Sequence, residues 1–221
     1  MGPRVSRVTL AIVGDGRLDY LERCVASIHE HLKGQIDSAV MVCDEPQARS
    51  YLQKQYPDWK QVIHPQRVGM AAAVRSAWWS IGDGSYLFHL EEDFVFTEDV
   101  HLSDLEIPLR AEPRLAQVVL KRGPVNDEER AAGGIIEQHP DDYASRGGFV
   151  EHKRIFSLNP CLIPRDIVVG LDWEVRGVEG VEKAITRACL DAGRTFAFYG
   201  AKDDPPKVEH IGSERSSGWR L

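Results

Sequence analysis

Residues 85–93 read Ser-Tyr-Leu-Phe-His-Leu-Glu-Glu-Asp, a β-prone run that leads directly into three acidic side chains. A β-prone run of this length, with Tyr86, Leu87, Phe88 and Leu90, predicts a buried strand, as in the parallel sheets of α/β proteins. Side chains at i and i+2 of a strand share a face, so we expect Glu91 and Asp93 to point together and Glu92 to point away. Two carboxylates at a strand end can hold a divalent cation. The alternative is a solvated acidic turn, because more acidic residues follow between positions 98 and 106.

The residues before this run alternate strand and helix patterns. Apolar runs predict strands at 8–13, 39–43 and 61–64, and helix-favouring patterns predict helices at 21–32, 47–55 and 69–80. Alternation of this kind implies right-handed crossovers and a largely parallel sheet, whose ligands bind beyond the carboxyl ends of its strands. Asp44 and the acidic triplet both follow such strand ends.

The second half of the chain is less regular. Strands are predicted at 115–120, at 155–163 with a break at Pro160, and at 195–199, and a predicted helix at 178–192 ends at Gly193. The polar segment 121–148 is predicted to be a long loop or lid. We expect a single α/β domain over 1–221, with a nucleotide-binding half at about 1–100 and an acceptor-facing half at about 101–221.

The composition narrows the class of protein. The 27 Lys and Arg residues against 34 Asp and Glu residues give a net charge of −7, which disfavours a bare polyanion as the main partner. The apolar runs are too short for a membrane span or a signal peptide, so we expect a cytoplasmic protein without membrane contact. The 4 cysteines have no paired spacing, which indicates buried thiols rather than disulfides or a zinc site.

Several short motifs follow one another between residues 8 and 212. They are a loop with Arg17 before the helix that begins near 21, the strand and acidic triplet at 87–93, the segment 156–160, and a helix with Glu179 and Glu182. In order and spacing these motifs resemble the family 2 glycosyltransferases of the GT-A fold, with Glu91 and Asp93 in the two acidic places of that family's Asp-x-Asp motif. The resemblance implies an α/β, Rossmann-like GT-A fold, in which helices flank a mixed, mostly parallel sheet.

The resemblance also implies what this site binds. It implies a nucleotide-sugar donor, a UDP-sugar foremost, with donor-binding residues at Val13, Arg17, Asp44, Arg75, Glu91, Glu92 and Asp93. Asp44 would accept a hydrogen bond from the imide of uracil, and its alternative role is to form the turn before Pro46. A divalent cation, Mn²⁺ or Mg²⁺, would be held by Asp93, Glu91 and, from the C-terminal tail, His210. An imidazole beside a carboxylate suits Mn²⁺ better than Mg²⁺.

The implied reaction is an inverting transfer to a hydroxyl, which needs a carboxylate that removes the acceptor's proton. Glu182 lies where the family's catalytic acidic residue is found, and Glu179, one helical turn earlier, is its rival. Both are also ordinary acidic residues for the first turn of a helix. The acceptor stays open between a saccharide, a small molecule and a hydroxymethylated base in DNA, the last as a minority option because residues 146–154 include basic side chains. Trp173 and Trp219 are candidates to stack on an acceptor ring.

Two other functions use the same features. A GT-A-like nucleotidyltransferase would share the sheet and the carboxylates, but the glycine-rich loop at 14–17 lacks the lysine that commonly grips a triphosphate. A non-catalytic nucleotide-sugar-binding module would tolerate loss of the base and of the metal site, and candidates for both are present here.

Overall fold

The structure is a computed structural model that describes residues 6–43, 46–64, 66, 68–177 and 179–212. Its elements in chain order are β1 (Val8–Val13), α1 (Leu18–His31), β2 (Leu32–Lys33), β3 (Ser38–Cys43), α2 (Pro46–Gln55), β4 (Lys60–Ile63), α3 (Gly69–Trp79), β5 (Tyr86–Glu91), β6 (Phe94–Phe96), β7 (Val100–His101), α4 (Leu102–Ala111), β8 (Leu115–Val119), α5 (Asp127–Ala132), α6 (Ile135–Gln138), a 3-10 turn (Pro140–Asp142), β9 (Tyr143–Arg146), β10 (Phe149–His152), β11 (Cys161–Pro164), α7 (Arg165–Gly170), α8 (Val181–Asp191), β12 (Thr195–Tyr199) and β13 (Val208–His210).

A nine-stranded sheet runs through the centre in the order β4-β3-β1-β5-β11-β8-β12-β10-β9. The first four strands are parallel, β8 and β12 are parallel to each other, and only β11 and β10 run against the common direction. The sheet is therefore mixed and mostly parallel, and helices cover both of its faces. The fold class expected from the sequence is confirmed.

The burial of β1 shows why this sheet forms. All six residues of the strand are buried. Leu10 and Ile12 point into one apolar cluster with residues of α1, whereas Ala11 and Val13 point into a second cluster with residues of α3. A strand covered on both faces is apolar at nearly every position, and the one polar side chain here, Thr9, is hydrogen-bonded to Ser38 and to the carbonyl of Ile81.

Segment 121–148 is more structured than predicted. It contains α5, α6, the 3-10 turn and β9 rather than a long loop. Asn126 caps α5 by accepting a hydrogen bond from the N–H of Glu129 at 2.8 Å. The Glu129 carboxylate is buried and pairs with Arg122 at 2.7 Å. The polar composition concealed this order because polar side chains here pair inside the protein.

Two smaller differences concern the strands of the second half. The predicted strand at 155–163 is reduced to β11, since residues 155–160 form no strand. The tail forms a strand instead, because β13 pairs antiparallel with β6 directly after the acidic triplet. All 4 cysteines are buried, as predicted. In the described part of the chain, no helix has the length and apolar character needed to cross a membrane.

Candidate active site

The candidate site lies where the ends of β1 and β5 meet, at the carboxyl edge of the parallel strands. The N–H of Glu92 donates to the carbonyl of Val13 at 3.0 Å, and the N–H of Gly14 donates to the carbonyl of Val42 at 3.0 Å. The first bond joins the end of β1 to the acidic triplet, and the second joins Gly14 to β3. In an open α/β sheet this edge is where ligands bind.

Glu92 anchors the loop that leads into α1. Its carboxylate, in a residue only 2% exposed, accepts hydrogen bonds from the N–H groups of Asp15, Gly16 and Arg17 at 3.1, 3.2 and 3.2 Å. A Cβ on Gly14 would lie 2.0 Å from Glu92 Oε2, so a glycine is required at this approach. Glu92 therefore lies beneath the loop rather than on an open donor surface.

The electrostatics of Glu92 follow from that burial. Burial raises the pKa of Glu92 to about 9, and the neighbouring Asp15 carboxyl acts in the same direction, while the N–H groups of Arg17 and Gly16 lower it. The expected alternation, with Glu92 facing away from Asp93, does not hold beyond Glu91 because β5 ends there. Both Glu92 and Asp93 face the Arg17 guanidinium.

Arg17 connects the acidic groups of the site. Its Nε lies 3.0 Å from Asp15 Oδ1 and 3.6 Å from Glu92 Oε1, and its Nη2 lies 3.1 Å from Asp93 Oδ2. The guanidinium also stacks 4.0 Å from the ring centroid of Tyr20. Arg17 thus contacts Glu92 and Asp93 of the acidic triplet.

Asp93 and His210 come together although they are far apart in the sequence. Pairing of β13 with β6 aligns His210 with Phe94, and the N–H of Ile211 donates to the carbonyl of Asp93 at 2.8 Å. His210 Nε2 then lies 3.3 Å from Asp93 Oδ2. A Cβ on Gly212 would lie 2.2 Å from the same oxygen, so the tail passes close over Asp93.

The donor set of Asp93 and His210 fits a divalent cation. Asp93 Oδ1 is buried and has no hydrogen-bond partner among the described residues. Burial alone would raise the pKa of Asp93, but the hydrogen bond and charge of His210, and then the charge of Arg17, outweigh it and hold that pKa below its usual value. An ionised carboxylate with a spare oxygen beside an imidazole is a combination that Mn²⁺ accepts.

The third implied ligand, Glu91, lies half-buried at the end of β5, where its carbonyl accepts a weak hydrogen bond from Cys24 Sγ at 3.9 Å. No cluster of three or more His, Cys, Asp or Glu side chains is preassembled for a metal within the described ranges. Asp93 and His210 therefore form the nucleus of the candidate metal centre.

Glu182 lies in the first turn of α8 and holds the segment before β11. Its Oε1 accepts hydrogen bonds from the N–H of Leu158 at 2.7 Å and from the hydroxyl of Ser157 at 3.2 Å. Thr186 donates to the carbonyl of Glu182 at 2.6 Å and accepts from the N–H of Phe156 at 2.7 Å. Segment 156–158 is thereby tied to the start of α8.

Glu179 is engaged differently. Both of its carboxylate oxygens lie 2.7 Å from Arg187 Nη1, and Oε1 also accepts from the N–H of Arg176 at 2.8 Å. The hydrogen bond from Arg187, followed by that from Arg176, holds the pKa of Glu179 below its usual value. An ion-paired carboxylate of this kind is a poorer proton acceptor than one whose oxygen is free.

Arg75 and Trp173 contact each other. The Arg75 guanidinium lies 4.0 Å from the ring centroid of Trp173 and donates to its carbonyl. Trp173 is only 4% exposed and meets Trp78 edge-on at 5.8 Å. The prediction that Trp173 stacks on an acceptor ring is therefore wrong, because the ring is packed in the core. Asp44 and Trp219 lie outside the described residues.

Sequence reasoning missed two parts of the site. Asp15 binds Arg17, and Ser157 binds Glu182, yet neither was singled out. For the first, a signal was present, since Gly14-Asp15-Gly16 is a short glycine-rich turn directly after a buried strand. Ser157 lies in the motif at 156–160, but nothing local to that motif indicates a contact with Glu182.

No protein-family model matches the chain, and no curated protein sequence matches it. Among solved structures it is similar to a crystal structure of GalNAc-T7 with UDP, GalNAc and Mn²⁺, with a TM-score of 0.66 and 13% sequence identity. The similarity covers 100% of this chain and 46% of that chain, so this chain spans about half the length of that protein. At this identity the likeness establishes the fold, and the expected GT-A fold is confirmed. Membership of family 2 stays a prediction.

Proposed function

We propose that this chain is a metal-dependent glycosyltransferase that moves a sugar from a nucleotide sugar, a UDP-sugar foremost, to a hydroxyl acceptor with inversion. The observation that carries the proposal is the pairing of Asp93 and His210, with one buried carboxylate oxygen unpartnered, at the carboxyl edge of a GT-A sheet. The similar GalNAc-T7 structure contains UDP and Mn²⁺, which supports the choice of both.

On the donor side, Asp93 and His210 would hold the cation, with Glu91 as a third ligand or a donor contact. Bound there, the cation would act as a Lewis acid on the diphosphate as it leaves. Arg17 is the cationic side chain of this site, and guanidinium groups bind phosphate oxygens well. Val13 at the end of β1, Asp44 and Arg75 remain proposed donor contacts.

The proposed base is Glu182. This choice is supported by its hydrogen bonds, since Leu158 and Ser157 hold Oε1 and no described bond occupies Oε2. A carboxylate fixed through one oxygen can present the other to an acceptor hydroxyl and take its proton as the hydroxyl oxygen attacks the anomeric carbon. Glu179 is the weaker candidate, because Arg187 occupies both of its oxygens.

The acceptor half of the proposal is broader. We propose one catalytic domain in which residues of about 1–100 bind the nucleotide sugar and residues of about 101–221 face the acceptor. A saccharide, a small metabolite and a hydroxymethylated base in DNA are the acceptor classes to compare. Reactions that pair UDP-, GDP- and CDP-sugars with each acceptor class, read by mass spectrometry, would identify the product.

The test of function separates donor binding from transfer. We expect UDP with Mn²⁺ to raise the melting temperature of the wild type, and Asp93→Asn to abolish that rise. Glu182→Gln should keep the rise but lose sugar transfer, while the matched variant Glu179→Gln should keep most of both. If no nucleoside diphosphate raises the melting temperature even with Mn²⁺, the proposed donor site is refuted. Full transfer by Glu182→Gln would remove that residue from the base role.

A further inference from the structure

The side chain of Arg17 occupies the acidic end of the candidate metal centre. Its Nη2 lies 3.1 Å from Asp93 Oδ2, the same oxygen that lies 3.3 Å from His210 Nε2. The other oxygen, Asp93 Oδ1, is buried and without a partner in the part of the chain that is described. One oxygen of the Asp93 carboxylate is thus paired with the Arg17 guanidinium, and the other has no hydrogen-bond partner among the described residues.

A metal ion and this guanidinium compete for one carboxylate. A divalent cation bound to Asp93 would place two positive groups on the same small anion, and their repulsion is strong in a partly buried site. Asp93 has an exposed side-chain fraction of 13%, and Arg17 of 26%, so water screens the pair only in part. Arg17 must therefore loosen its hold on Asp93 when the cation binds.

Arg17 has other contacts that would keep it at the site after that release. Its Nε is 3.0 Å from Asp15 Oδ1, and its guanidinium stacks 4.0 Å from the Tyr20 ring. Neither contact involves Asp93. The Nη2 group can then turn toward another anion while these contacts hold the rest of the side chain.

The loop between β1 and α1 cannot offer the backbone N–H groups of residues 15, 16 and 17 to that anion, although N–H groups at such a place often bind phosphate. Here the N–H groups of residues 15, 16 and 17 already donate to the buried Glu92 carboxylate. The side chain of Arg17 is therefore what this loop has left to offer a phosphate.

We propose that Arg17 is an exchangeable counter-ion, which holds Asp93 before the cation arrives and turns to the donor diphosphate once the cation binds. This inference rests on the proposed function. The binding of the cation and the binding of the diphosphate then favour each other. The cation displaces Arg17 from Asp93, and the diphosphate draws Arg17 away from Asp93. Linkage then requires Mn²⁺ to tighten diphosphate binding by the same factor as the diphosphate tightens Mn²⁺ binding.

The test measures binding without turnover, on the full chain. Free Mn²⁺ is counted by electron paramagnetic resonance in titrations without nucleotide, and UDP binding is measured by calorimetry at saturating Mn²⁺. Arg17→Gln should bind Mn²⁺ about tenfold more tightly than the wild type and UDP about tenfold more weakly. Arg23→Gln removes the same charge from an exposed position of α1 and should change neither constant. Arg17→Lys, which keeps the charge, should lie between the wild type and Arg17→Gln, and it serves if the glutamine variant does not fold.

Equal or weaker Mn²⁺ binding by Arg17→Gln, with the wild type binding Mn²⁺, overturns the inference and leaves the proposed function standing. An equal gain in Arg23→Gln also overturns it, because the effect would then be one of net charge. If the wild type binds no Mn²⁺ and Asp93→Asn behaves identically, the proposed function fails and the inference with it.

Discussion

Replacing Glu92 by alanine is expected to destabilise the protein far more than the loss of an ordinary surface charge. The change removes the acceptor of three backbone N–H groups, those of residues 15, 16 and 17. A buried donor left without a partner costs about 1–3 kcal/mol. Three such donors set a range of about 3–9 kcal/mol. Water that enters the emptied space can satisfy some of them, so we expect a loss of about 3–5 kcal/mol in the free energy of unfolding.

Glu92→Gln should cost less than Glu92→Ala. The carboxamide keeps one acceptor oxygen in place of two, so one of the three N–H groups loses its partner while the volume is preserved. We expect a loss of about 1–2 kcal/mol. Glu30→Ala is the matched control, since Glu30 lies on α1 with a side chain 75% exposed. It should change the free energy of unfolding by less than about 0.5 kcal/mol.

Urea unfolding at pH 7, followed by far-ultraviolet circular dichroism, measures these differences. The midpoint should fall in the order Glu30→Ala, Glu92→Gln, Glu92→Ala, with an unchanged slope against denaturant. A Glu92→Ala variant within about 1 kcal/mol of the wild type would refute the reasoning, because even one buried N–H group left without a partner costs about that much. Equal losses in both Glu92 variants would show that the carboxyl group itself sets the loss, whatever the side-chain volume and the number of N–H groups left without an acceptor.

Three further outcomes are expected. Gly14→Ala would place a Cβ 2.0 Å from Glu92 Oε2 and should lower the free energy of unfolding by about 1–3 kcal/mol, which thermal unfolding measures; an unchanged melting temperature would contradict that approach. Burial lowers the pKa of His89 to about 4, so an unfolded His89 takes up its proton first as pH falls from about 6.5, and His89 contributes a decline in stability from there to about pH 4. His89→Leu should flatten that decline in urea titrations at pH 7, 5.5 and 4.5, and an unchanged decline would assign it to other groups. Glu129→Ala leaves the partly buried Arg122 unpaired and should cost about 2 kcal/mol and speed proteolytic cleavage within 121–148; cleavage at the wild-type rate would show that the pair does not order this segment.

The parallel core of the fold was readable from the sequence. The strands β1, β3 and β5 and the helices α1 and α3 lie where apolar runs and helical spacing predicted them, within a few residues at each end. Such elements can be predicted from local sequence, because a strand buried on both faces and an amphipathic helix each need a particular spacing of apolar residues over a few positions. The prediction of a long loop at 121–148 was wrong for the same reason. The order of this segment involves a buried ion pair, which leaves no pattern of apolar residues in the sequence.

The candidate site was only partly readable. The sequence predicted a site at the acidic triplet because the triplet comes directly after a buried strand. The link between Asp93 and His210 was implied by a family resemblance. Periodicity alone cannot bring those two residues together, because their contact depends on the pairing of β13 with β6. The role of Glu92 was likewise hidden, since strand alternation stops at Glu91.

By itself, then, the sequence determined an alternating α/β sheet and a cluster of carboxylates at its ligand-binding edge. Tertiary structure decided that Glu92 is buried and holds a loop, that Asp93 lies beside an imidazole with one oxygen unpartnered among the described residues, and that Glu179 is ion-paired. Hydrophobic periodicity acts between residues a few positions apart, whereas the state of a carboxylate depends on donors and charges brought from distant parts of the chain. Glu92 and its N–H donors, 75 to 77 positions away, are the clearest case.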